Sequence, residues 1–85
     1  MKAIITKFHG PTDTKGSRFS ASDEDGNRAT VHADHAMNSE QNHDAAALAL
    51  CRKMKWSGTL VRGGLGTGYV YVWADAREQV EAPAV

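Results

Sequence analysis

The sequence predicts an α+β fold: a single antiparallel sheet in the order βββαββ with one helix packed across one face. Three observations predict it. Residues 39–55 (SEQNHDAAALALCRKMK) form the one long helical pattern, two alternating runs flank Asp25-Gly26-Asn27, and a further alternating run, residues 69–73, follows a glycine-rich stretch. Eighty-five residues make one small domain, with room for one core, one helix–sheet layer pair and no sizeable internal cavity. Residues 1–74 are expected to form that domain.

Taken in order, residues 2–8 are β-branched and apolar and predict the first strand. The turn formers of residues 9–16 predict a loop closed by Gly16. In residues 17–22, Phe19 and Ala21 alternate with Arg18, Ser20 and Ser22. Beyond the turn, Ala29 and Val31 alternate with Arg28, Thr30 and His32. Two such runs around an Asp-Gly turn predict a hairpin.

The helix carries Ala47, Leu50, Cys51 and Met54 at helical spacing, with His43 one turn earlier, so one apolar stripe runs down one side. Asn38 is the expected N-cap, with Gln41 completing a capping box. Glu40 and Asp44 suit the positive end of the helix dipole, and Arg52, Lys53 and Lys55 the negative end. Trp56-Ser57-Gly58 ends the helix, residues 59–62 predict a short strand, and Gly63 to Gly68 a glycine-rich connection into the last strand. Residues 75–85 offer no face to bury and predict a disordered tail.

Ten basic and ten acidic residues cancel, so no global field draws the chain to nucleic acid. The lone Cys51 cannot form an internal disulfide and sits on the apolar stripe, which suits a reducing compartment. The start MKAIITKF lacks a signal-peptide core and no run approaches membrane-spanning length, so a cytoplasmic protein without membrane contact is expected.

With one helix, only one sheet face is covered. If Phe19, Ala21, Val31, Val70 and Val72 meet the helix stripe, the other face carries Arg18, Ser20, Ser22, Arg28, Thr30, His32, Tyr69, Tyr71 and Trp73. Three aromatic rings at period two near Arg18 and Arg28 are a surface suited to a partner, since Tyr, Trp and Arg most often carry interface energy. Cross-strand pairing alone also places aromatics on strands. The same surface suits nucleic acid, through stacking on bases and arginine contacts to phosphates, although zero net charge opposes it.

Other constellations lack the spacing their chemistry needs. Gly64-x-Gly66-x-Gly68 opens a strand where a phosphate loop would open a helix. His32 and His35 make one possible zinc pair among four histidines, with no good second pair. His43 and Cys51 stand about 12 Å apart along the helix axis, too far for a nucleophile and its base, so His43 is expected to bond a strand or loop carbonyl. The acids of Ser22 to Asn27 lack the bidentate glutamate of a calcium loop. No catalytic residue, metal or cofactor is expected.

The segments GPTDTKGSR (10–18), DEDGN (23–27), NSEQNHDAAALALCRKMKWSG (38–58) and GGLGTGYVYVW (63–73) resemble a group of short, mostly uncharacterised proteins of bacteriophages, prophages and plasmids. Among small accessory proteins of that setting the chain is most similar to anti-CRISPR inhibitors of type I systems. That resemblance implies a non-enzymatic inhibitor of host defence that binds a Cas effector complex and blocks DNA recognition, as a monomer or homodimer. It carries over no catalytic residue and gives no residue an inhibitory role. The candidate partner-binding residues, Arg18, Arg28, Tyr69, Tyr71 and Trp73, follow from the exposed-face reading alone.

Overall fold

The structure is a computed structural model that describes residues 3–13, 16–66 and 68–74. Among the described residues six elements follow one another: β1 (Ile4–His9), β2 (Arg18–Ser22), β3 (Arg28–His32), α1 (Ser39–Met54), β4 (Leu60–Leu65) and β5 (Gly68–Trp73). The strands form one sheet in the order β3-β2-β1-β5-β4, every neighbouring pair antiparallel. This is the expected α+β class. The second hairpin adds beside β1, which places β1 at the centre of the sheet. The expected tail, residues 75–85, lies outside the described residues.

The β2–β3 hairpin turns through Gly26 at φ 89°, a left-handed conformation in which glycine carries no Cβ penalty. The Asp23 carboxylate closes that turn by accepting from the backbone N–H groups of Asp25 and Asn27, which is the use the chain makes of its acids there. Asn38 caps α1 as expected. Its Oδ1 accepts from the Gln41 N–H at 2.8 Å, and Gln41 Oε1 accepts from the Asn38 N–H at 3.0 Å. Buried Asn42 braces the linker ahead of the helix, donating to the carbonyls of Asp34, Met37 and Asn38 and accepting from the Asp34 N–H.

The helix lies over β1, β2 and β3 and meets β5 only at its margin. Ala46, Ala47, Leu50 and Cys51 interlock with Ile4, Phe19, Ala21 and Tyr71 as the core. Ala29, Val31, Met54, Trp56, Leu60, Tyr69 and Trp73 pack around its edge.

Two expectations about β4 and β5 need correction. The first concerns the glycine-rich stretch: Gly63, Gly64 and Leu65 belong to β4 and pair with Val70, Tyr69 and Gly68, so the turn falls between Leu65 and Gly68. A Cβ at Gly68 would run into the Thr6 carbonyl, so only glycine lets β5 approach β1 there. The second concerns which side of β5 faces the helix. Tyr71 stands opposite Ile4, and Tyr69 opposite Thr6, both of which lie under α1. Tyr69, Tyr71 and Trp73 therefore point to the helix side, and Val70 and Val72 to the other. An aromatic ring buries more area than a valine, and this site also supplies the phenol of Tyr71 with an acceptor, so the tyrosine side wins the interior.

Candidate functional site

Register assigns the uncovered face residue by residue. Partners directly opposite in an antiparallel pair share a face, so His9, Arg18 and His32 form one row across β1, β2 and β3. Lys7, Ser20 and Thr30 form the next, and Ile5, Ser22 and Arg28 the third. On the far side of β1, Ile5 continues into Val70 and Gly63, Val72 meets Val61, and Leu65 stands beside Gly68. Arg18 and Arg28 thus stand on the bare face as expected. The three aromatic candidates do not, and the five residues are not brought together.

This face has two halves. Over β4 and β5 it is apolar, and no described element covers it: Ile5 is 40%, Val61 49%, Leu65 46% and Val72 37% exposed. Over β2 and β3 it is polar, with Lys7, Arg18 and Arg28 as its charges and no acid among its strand residues. His9 Nε2 lies 2.8 Å from Ser20 Oγ, covering that serine. Arg18 Nε is shielded from solvent without a hydrogen-bond partner, an unmet donor at the polar end.

The displaced aromatics build a clamp on the helix side. The Tyr71 hydroxyl donates to Asp44 Oδ1 at 2.6 Å, and Arg62 donates to both Asp44 oxygens at 2.8 and 2.7 Å and to Glu40 Oε2 at 3.0 Å. The Arg62 guanidinium also lies over the Tyr69 ring, 5.5 Å from its centroid. Burial, aided by the anionic acceptor, pushes the Tyr71 phenol well above its ordinary range, so it stays a donor. The bonds to the two carboxylates push the Arg62 guanidinium up as well. Trp73 meets Trp56 edge to face and donates from Nε1 to the Ser57 carbonyl at 2.7 Å. The bonds of Arg62 and Tyr71 tie β4 and β5 to α1, and that of Trp73 ties β5 to the segment after it.

His43 sits at the junction, 3% exposed, between the rings of Phe19 and Tyr69 at centroid distances of 4.8 Å each. Its Nδ1 lies 2.8 Å from Thr6 Oγ1, which is itself 3.4 Å from the Tyr69 carbonyl. If the Thr6 hydroxyl donates to that carbonyl, its oxygen accepts from Nδ1–H, so Nδ1 carries a ring proton. The expected partner of His43, a carbonyl, is a strand hydroxyl. Burial pushes the imidazole below the usual histidine range, and nearby Asp44 opposes this only in part. Burial likewise pushes the Cys51 thiol up, away from reactivity.

An open groove of about 520 Å³ runs between α1 and β4, lined by Asp44, Ala47, Leu48, Leu60, Val61, Arg62 and Tyr71. Its polar groups are those of the clamp. Among the described residues no three His, Cys, Asp or Glu side chains gather as a metal site would need, and no helix is long and apolar enough to cross a membrane.

What the described residues define is a helix-backed sheet with one face uncovered. The chain matches no known protein family, no curated protein and no solved structure.

The residues missed from sequence were Lys7 and the apolar row Ile5, Val61, Leu65, Val70 and Val72. One signal for them was present. Ile4 and Ile5 are adjacent in a strand, so β1 offers an apolar side chain to each face.

Proposed function

We propose that this protein is a non-enzymatic binding protein that docks through its uncovered sheet face, and that its partner is a Cas effector complex whose DNA recognition it blocks. The observation that carries the docking is the apolar row of β1, β4 and β5 lying open beside Lys7, Arg18 and Arg28. Such a face suits a protein surface with an apolar centre flanked by carboxylates, which the arginines would meet with charge-assisted bonds. The partner class rests on the resemblance to anti-CRISPR inhibitors.

The test is plaque formation by a phage that a type I CRISPR system targets, in cells expressing the protein. Wild type restores plaques. Ile5→Lys with Val72→Lys, or Arg18→Glu with Arg28→Glu, lowers plaquing about ten-fold or more with the circular dichroism spectrum unchanged, which corresponds to losing one or two interface anchors. Inhibition that survives both pairs removes the face from the mechanism, and wild type without effect on plaquing removes the partner.

A second reading, a small nucleic-acid-binding regulator, draws on the same three cations and the hydroxyls of Ser22 and Thr30. It loses its stacking platform, because the aromatic rings lie on the helix side. Gel shifts at low salt with single- and double-stranded probes decide it, with affinity falling steeply as salt is added.

A further inference from the structure

The two edges of the sheet are finished differently. In β3, the bonds Ala33 N–H to Ser17 carbonyl and Asp23 N–H to Asn27 carbonyl set the ladder phase, so Arg28, Thr30 and His32 turn their backbone groups to the open side. There the Lys53 ammonium donates to the Arg28 carbonyl at 2.7 Å, and α1 packs alongside. Charge and cover blunt that edge.

In β4, the bond from Ala74 N–H to the Thr59 carbonyl sets the phase, and Leu60, Arg62 and Gly64 face outward. This edge has no proline, its one charge, Arg62, is folded back onto Glu40 and Asp44, and the helix does not reach it. Among the described residues nothing pairs with the outward donors and acceptors of Leu60, Arg62 and Gly64, and such an extended edge is a template for another strand.

We infer that a second copy of this chain pairs on that edge, β4 antiparallel to β4 about a two-fold axis at Gly63. The sequence of β4 favours self-pairing in this register above its neighbours. With Gly63 opposite Gly63, Arg62 faces Gly64 of the other copy, which has no side chain to obstruct it, and Val61 faces Leu65 on the uncovered side, twice. Arg62 and Gly64 both turn their backbone groups outward, so each pairing of the two exchanges two ladder bonds, four in all. Moving the axis to Arg62 stacks like charges, and moving it to Val61 or Gly64 leaves Leu65 without an apolar partner. A chain of zero formal charge meets no net repulsion from its copy. The product is a ten-stranded sheet with both helices on one side and the two apolar rows joined across the axis on the other.

Sedimentation of the full chain across a concentration series reads the association directly. Wild type passes from monomer to dimer as concentration rises. Gly64→Pro removes one outward N–H donor from each copy at a position with open space around it, and raises the dissociation constant about ten- to a hundred-fold. Should that variant misfold, the exposed pair serves instead: Val61→Lys weakens the dimer, and Val61→Lys with Leu65→Glu restores it through two cross-copy ion pairs. Gly63→Cys places two thiols on the axis at about the 4.5 Å Cα spacing of a non-hydrogen-bonded pair, so mild oxidation yields a covalent dimer that Glu24→Cys, at the distant β2–β3 turn, does not. A wild-type monomer at every concentration overturns the pairing, as does a dimer indifferent to residues 61, 63 and 64. Docking through Ile5 and Val72 needs only one copy, so the plaque assay and this one fail independently.

Discussion

The part of the sheet under the helix and the part beyond it are held by different forces. Over β1, β2 and β3 the contacts are apolar and continuous, with Ile4, Phe19, Ala21, Ala46, Ala47 and Leu50 interlocked and nearly sealed from solvent. The helix does not reach β4 and meets β5 only at its margin, and the hairpin is tied back by one guanidinium, one phenol and two carboxylates. The first arrangement is non-directional and tolerates little loss of volume. The second is directional and half-exposed, so each bond contributes modestly and the hairpin is the first part expected to open.

The largest break should come from the core. Leu50→Ala removes a fully buried side chain from the centre of the covered half, and denaturant titration should show a loss of about 2–5 kcal/mol. Next comes the tie. Tyr71→Phe leaves the ring packed and deletes only the hydroxyl that Asp44 accepts, which should cost about 1–2 kcal/mol, discounted because the carboxylate is partly in water. Amide exchange sharpens the contrast: Tyr71→Phe should speed exchange in β4 and β5 while β2 and β3 keep their protection, whereas Leu50→Ala should speed it throughout.

The smallest effect is expected at the junction. The folded pKa of His43 lies below its unfolded value near 6.5, so the unfolded chain binds the proton more readily. The stability contributed by the neutral imidazole is therefore full above about pH 6.5 and falls as pH drops through the unfolded pKa toward the folded one. The midpoint of thermal unfolding should decline between pH 7.5 and 5, with a shallower slope in His43→Gln.

Most of the architecture was legible because local chemistry agreed with it. Asn38 and Gln41 announce a capping box, Asp25-Gly26-Asn27 a tight hairpin, and the spacing of Ala47, Leu50 and Cys51 a buried stripe. The orientation of β5 was not legible from alternation, which separates Tyr69, Tyr71 and Trp73 from Val70 and Val72 without saying which set goes inside. What decides it lies elsewhere in the chain: Asp44, one residue along from His43, offers the acceptor that makes a buried phenol tolerable. The glycines misled for a related reason. Gly63 and Gly64 look like turn residues in isolation, but β5 beside them is long enough to pair with both.

The place of β1 has a consequence for how the chain comes off the ribosome. Among the six elements it is made first, and one of its two neighbours, β5, is made last. Its pairing with β2 can close early across a short loop, yet the opposite flank, where Ile4 and Thr6 await Tyr71 and Tyr69, stays unpaired until the whole intervening polypeptide has been synthesised. A nascent chain stalled before Gly68 would present the middle of its own sheet as a raw margin, and is the species on which a chaperone would act.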